Sequence, residues 1–255
     1  MRDPHVEAVY FNVGSAEDIS YQNPEPLVFS HPLGKFTLAD GVLKVLPAEH
    51  FGSGHEASQA LEGFLRAWEI EADLKQHLGM IRFSYSHAEV IDRNPLPQGV
   101  QHVQAAGIAS GLAVSDFVTC HITAGRYPSP PVCFSATEYA QYAHRRWLGY
   151  KRGQEPLLAT AYFILTLLER QAGSRAQACI LFKIDRDVLD RLGSWCSERG
   201  GPLSARKAKS TDFEELTHIE TDWLDRAVKR LILRLGEYAS GQSLEQLTLE
   251  SMVQS

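Results

Sequence analysis

The sequence predicts an α+β protein: an acidic, mainly antiparallel β domain with one packed helix, followed by an all-helical domain containing a helix-turn-helix-like pair. Three observations lead there. Short runs rich in β-branched and aromatic residues, broken by Pro and Gly, occupy the first half. Apolar spacing of three and four residues with marked helix starts occupies the second. Between them lies Tyr127-Pro128-Ser129-Pro130-Pro131, whose prolines remove donors and hold their predecessors extended. The domains predicted are 1–126 and 134–255, joined by a proline-rich linker at 127–133. A chain of 255 residues is long enough for two such cores.

The strands predicted are 8–13, 27–30, 35–38, 42–46, 80–91, 100–108 and 112–123, the last two joined by the short turn Ala109-Ser110-Gly111. One helix interrupts them. Ser53-x-x-Glu56 reads as a capping box, and Ala57, Leu61, Phe64, Leu65, Trp68 and Ala72 form one apolar stripe that should lie across the sheet. In the second half Ser135-x-x-Glu138, Ser174-x-x-Gln177 and Thr211-x-x-Glu214 read as capping boxes, and Pro156 suits a first helical turn. Leu157, Leu158, Ala161, Tyr162, Ile164, Leu165 and Leu168 wrap most of a helix, which makes it the central member of a bundle. Leu216, Ile219, Trp223, Ala227, Val228, Leu231, Ile232 and Leu235 form a narrower stripe that stops at Gly241, with a loose tail expected beyond Leu249.

Composition excludes several classes. With 44% hydrophobic and 22% charged residues the chain is neither disordered nor collagen-like. The start Met1-Arg2-Asp3-Pro4-His5-Val6-Glu7 lacks the basic and apolar segments of a secretory signal, and the apolar stretch 157–168 is too short to span a bilayer, so a cytoplasmic protein with no membrane association is expected. Cys120, Cys133, Cys179 and Cys196 include no CxxC pair, which fits free thiols in a reducing compartment. Charge is segregated: residues 1–133 carry 8 Lys+Arg against 15 Asp+Glu, a net of −7. Residues 134–210 carry 13 against 7, or +6, and residues 211–255 carry 4 against 9, or −5. A basic helical stretch of this kind points to an acidic partner.

The most specific local pattern spans 174–196. Cys179, Phe182, Ile184, Leu189 and Leu192 fill the packing positions of a helix, tight turn and helix, with Asp185 placed to cap the second. Over about 20 residues this stretch resembles the helix-turn-helix of DNA-binding proteins. The turn position that usually holds Gly has Lys183, however, and the second helix would present Asp185, Arg186, Asp187, Asp190 and Arg191, a poor match for phosphate. A second pattern gathers Tyr139, Tyr142, His144, Arg145, Arg146, Trp147, Tyr150, Lys151 and Arg152; on a helix from 135 to 150, Tyr139, Tyr142, Arg146 and Tyr150 share one face that could stack on a base or hold an anionic partner.

Signals for catalysis are weaker. Gly52-Ser53-Gly54-His55-Glu56-Ala57 fits a dinucleotide fingerprint in letters, but no strand runs into its first glycine, and Glu69, Glu71 and Asp73 fall inside one helix rather than after a second strand. No GxSxG elbow or GxxxxGK[ST] loop is present. Eight of the ten histidines lie in the first 133 residues, and His87, Glu89, His102 and His121 could converge on a divalent metal only if the fold brings them together.

The expected function is therefore that of a non-catalytic intracellular binding or accessory protein, with no cofactor, whose basic region 135–210 docks an acidic protein or a nucleic acid. Its binding residues would be Arg145, Arg146, Lys151, Arg152, Lys183, Arg186, Arg191, Arg206, Lys207 and Lys209. The alternatives are a metal-dependent hydrolase built on the four His/Glu residues and a DNA-binding regulator, which would need a homodimer.

Overall fold

The computed structural model describes residues 3–94, 121–200 and 214–252. The predicted strand at 100–108, most of the one at 112–123, Cys120, His102, Arg206, Lys207, Lys209 and Thr211 lie outside the described residues. The chain divides into two compact units between Pro130 and Pro131. The first holds a five-stranded antiparallel sheet with a helix, and the second is helical, so the fold is α+β with a helical C-terminal region.

In the first unit the strands are β1 (Pro4–Gly14), β3 (Leu27–His31), β4 (Gly34–Ala39), β5 (Val42–Pro47) and β6 (Arg82–Asp92), in the spatial order β3-β4-β5-β1-β6. β1 lies between β5 and β6 and buries Val6, Ala8, Val9 and Phe11, with a β-bulge between Val6 and Ala8 interrupting its alternation. β4 and β5 are joined by Asp40-Gly41, with φ of 50° and 73°, the positive values a two-residue hairpin turn needs. β2 (Ile19–Tyr21) and β7 (Ile122–Ala124) make a separate two-stranded parallel ladder. Sequence reading missed β2, since three residues carry no usable alternation.

α1 (Gly54–Lys75) covers the inner face, and the predicted cap is present: Ser53 accepts from the Glu56 N–H. Ala57, Leu61, Leu65, Trp68 and Ala72 meet Val9, Phe36, Leu38, Leu43 and Val45 in one core. Trp68 sits among Phe29, Phe64 and Phe83, with ring centroids 5.1–6.1 Å away, and its indole N–H donates to the Pro128 carbonyl at 3.0 Å. Pro128 and the buried Tyr127 thereby pack within the first unit. The C-terminal half of α1 also buries Glu69, Glu71 and Asp73, each held by a cation: Arg66, Lys75 and Arg82 respectively. Asp73 takes both arms of the Arg82 guanidinium at 3.0 and 2.7 Å and accepts from the Gly79 N–H.

The second unit contains α2 (Glu138–Lys151), α3 (Leu157–Ala172), α4 (Arg175–Leu181), α5 (Arg186–Glu198) and α6 (His218–Ala239). α3 packs against α2, α4, α5 and α6, in keeping with its nearly all-round apolar pattern. Two predicted caps move. α2 is capped by Thr137, whose oxygen accepts from the Ala140 N–H, and not by Ser135, whose own N–H donates to the Gly236 carbonyl. α6 begins at a full capping box of Thr217 and Glu220, while Glu214 instead sits in a bridge with Arg199. The tail is not loose as far as residue 252: Leu247 and Met252 are buried, and Leu247 exchanges backbone hydrogen bonds with Lys183 and Asp185.

Gly236 lies where Phe134 crosses α6, and a Cβ there would overlap the Phe134 ring. Phe134 is itself buried, so it cannot simply swing away. Gly236→Ala is expected to cost about 1–3 kcal/mol by overpacking, read as a lower urea midpoint; an unchanged midpoint would show that Phe134 has room to move.

Candidate functional site

The cations predicted to bind a partner fall into two groups. In the first, neighbouring acids or rings already hold the charge. Arg146 Nε lies 2.9 Å from Glu155 with its guanidinium over Phe163, and Lys151 Nζ lies 2.8 Å from Asp225 beside Trp147 and Tyr150. Arg186 pairs with Asp190 at 3.0 Å, and Arg191 lies over the rings of Trp195 and Trp223. The same acid, Asp190, also receives Arg175, which bridges to Glu169; these two arginines hold the Asp190 carboxyl below its usual range, Arg175 contributing most. The outer face of α5 thus carries Arg186 and Arg191 against Asp187, Asp190 and Glu198, with both guanidiniums engaged.

In the second group Arg145, Arg152 and Lys183 are exposed. Tyr142 and Arg145 on α2 and its C-cap Arg152, three and seven residues apart, lie along one outward side. Arg145 lies 5.4 Å from the centre of the Tyr142 ring, and Tyr142 is 50% exposed. This stripe replaces the predicted face of Tyr139, Tyr142, Arg146 and Tyr150, of which all but Tyr142 are partly covered. The physical reason is that Ala140, Ala143, His144 and Trp147 turn into the core, so the exposed side lies opposite them.

The helix-turn-helix-like pair forms as spaced, with Phe182, Ile184, Leu189 and Leu192 buried. The small residue buried in α4 is Ala178 and not Cys179, which is only half-covered. Lys183 takes φ 50° at the turn, the conformation for which glycine is the usual choice. Sequence reading missed what makes this affordable. Arg234, 1% exposed on α6, donates to the carbonyls of Phe182, Lys183 and Glu245 at 2.7, 3.2 and 2.7 Å and pairs with Glu237. One guanidinium thereby fixes both the turn and the C-terminal segment. A lone arginine in an apolar stripe was the only sequence signal, and it reads equally well as a snorkelling side chain.

The His/Glu set does not come together where it is described. His87 and Glu89 share the outer face of β6, as their spacing requires: His87 stacks on Tyr10 with centroids 4.5 Å apart, and Glu89 accepts from the Tyr10 hydroxyl. His121 instead pairs with Ser20 beside the β2–β7 ladder. Among the described residues no three His, Cys, Asp or Glu side chains are grouped to hold a metal. Burial pushes the Cys196 thiol up to about 12 and also raises Cys179, which disfavours both as thiolates.

A histidine pair that the sequence did not single out closes one end of the sheet. The Nδ1 atoms of His5 and His50 are 2.8 Å apart, and Arg93 Nη2 lies 2.6 Å from His5 Nε2. A guanidinium only donates, so His5 Nε2 accepts, its proton sits on Nδ1, and His5 Nδ1–H donates to His50 Nδ1. Desolvation, then Arg93 and His50, lower the His5 pKa. A histidine lowered in the folded state leaves the unfolded chain binding more protons, so its stability contribution is complete above about pH 6.5 and is lost as pH falls toward the folded value. The urea midpoint should therefore drop between about pH 7.5 and about pH 5, less steeply in His5→Gln; identical slopes would remove the pair as a cause.

No protein-family model, curated protein or solved structure matches this chain.

Proposed function

We propose that the protein is an intracellular binding or accessory protein whose helical unit docks an acidic segment of a partner protein on the α2 stripe. The observation that carries this is the exposed Tyr142–Arg145 stack with Arg152 two turns further on, a pair of residue types enriched where interfaces concentrate their binding energy. A protein segment suits it better than a nucleic acid. Nucleic-acid binders neutralise on the order of six to ten phosphates, whereas the predicted cations that the described residues leave exposed and unpaired by acids are Arg145, Arg152, Lys183 and Arg191, the last lying over Trp195 and Trp223. Free thiols at Cys133, Cys179 and Cys196 support a reducing compartment such as the cytoplasm.

The test is fluorescence anisotropy of a labelled Glu/Asp-rich dodecapeptide against the full chain. Two contacts worth about 0.7 kcal/mol each lead to an affinity about tenfold weaker in the Arg145→Gln/Arg152→Gln variant. Arg146→Gln, which removes a cation already paired with Glu155, should change it less than about twofold. Equal losses in both variants would mean that overall charge, and not this stripe, attracts the peptide.

A further inference from the structure

In the first unit, the β4–β5 turn and the ends of β1 and β2 line an open cleft of about 320 Å³, near the lower end of the range for small-ligand sites. Its walls are Val13, Tyr21, Asn23, Pro24, Asp40 and Tyr127. The two tyrosine rings lie with centroids 4.7 Å apart, tilted by 40°, and both are fixed through their oxygens. Tyr21 donates to the Met80 carbonyl at 2.5 Å, and the Tyr127 oxygen accepts from the Gly41 N–H at 3.0 Å. Burial, then Tyr127, push the Tyr21 pKa up to about 12, so this wall stays neutral and aromatic. At the mouth stands Asp40, exposed and held at φ 50° by its turn, with no ion pair to it among the described residues. The cation next along the chain from this wall, Arg126, is turned to Glu25 at 3.4 Å.

We infer that this cleft binds an amine cation with an apolar body, the body lying on Tyr21, Tyr127 and Pro24 and the ammonium facing Asp40. Aromatic faces attract cations within about 6 Å, and a carboxylate at the rim adds direct charge complementarity. The pre-fixed rings lower the ordering cost of binding. The net charge of −7 over residues 1–133 favours a cation over an anion at long range. Such a group could come from a free amine or from the lysine of a peptide.

The test is a titration of the ¹⁵N-labelled full chain, reading the amide shifts of Asn23, Asp40 and Gly41, with phenethylammonium, its neutral analogue 2-phenylethanol, and acetyl-Gly-Lys-Gly-amide. The site predicts saturable shifts with phenethylammonium and at least about fivefold weaker binding of the alcohol. Asp40→Asn should weaken the amine about fivefold while keeping the turn, because Asn tolerates positive φ. Glu62→Gln, an equal change in charge at an exposed position of α1 outside the cleft wall, should leave binding within about twofold. Tighter binding of the peptide would assign the site to a lysine side chain and tighter binding of phenethylammonium to a free amine, and both support the cation site. Equal binding of amine and alcohol, equal losses in the Asp40 and Glu62 variants, or no saturable shift by about 20 mM would overturn it.

Discussion

Arg234→Ala is expected to destabilise the protein by about 3–5 kcal/mol, because it removes one buried charge from a set of partners that cannot rearrange. Three carbonyls lose their donor together: those of Phe182 and Lys183 at the end of α4 and that of Glu245 in the C-terminal segment. Each buried acceptor left without a partner costs about 1–3 kcal/mol before any relaxation. Glu237 keeps Arg230 as a partner at 2.5 Å, so the carboxylate contributes less to the loss than the carbonyls do. Arg234→Lys should recover only part of the stability, since an ammonium does not reproduce the guanidinium fork. Urea unfolding followed by circular dichroism measures both. Proteolysis adds a local reading: residues 242–252 should be cut faster in Arg234→Ala, because the Leu247 bridge to the turn loses its clamp. A variant of native stability would show that the turn holds through its apolar contacts alone.

Trp68→Ala should cost a similar amount, about 3–5 kcal/mol, by a different route. Trp68 has no exposure, and its removal leaves a cavity bordered by Phe29, Phe64 and Phe83 on a sheet whose backbone cannot close over it. The Pro128 carbonyl also loses the indole donor. Trp68→Phe separates the two effects: it retains most of the packing and should cost about 1–2 kcal/mol, mainly for the stranded carbonyl. If Phe were as damaging as Ala, the hydrogen bond rather than the packing would be the main support.

These two residues also mark what could be read from the sequence. Trp68 belongs to a periodic stripe, and periodicity reports burial directly, so α1, the strands β1 and β3–β6 and the packing of the helix-turn-helix-like pair were legible. Arg234 was not, because its role depends on carbonyls 52, 51 and 11 residues away in the chain. The helix starts at Thr137 and Thr217 were obscured by equally good patterns at Ser135 and Thr211. The pairing of the predicted cations was hidden in the same way. Sequence counts positive charges, but Arg146 meets Glu155 across a turn and Lys151 meets Asp225 from 74 residues away, and these pairings decide which cations remain to bind anything.

The most direct test of the binding proposal is the salt dependence of association, measured with the acidic dodecapeptide and with a 20-base-pair duplex on the same protein. The peptide should bind and lose affinity in Arg145→Gln/Arg152→Gln, and any duplex binding should show a log–log salt slope no steeper than about −4, the value for some four phosphates. A slope of about −6 or steeper for the duplex, unchanged in that variant, would contradict it and place the function in nucleic-acid binding through other cations of residues 135–210.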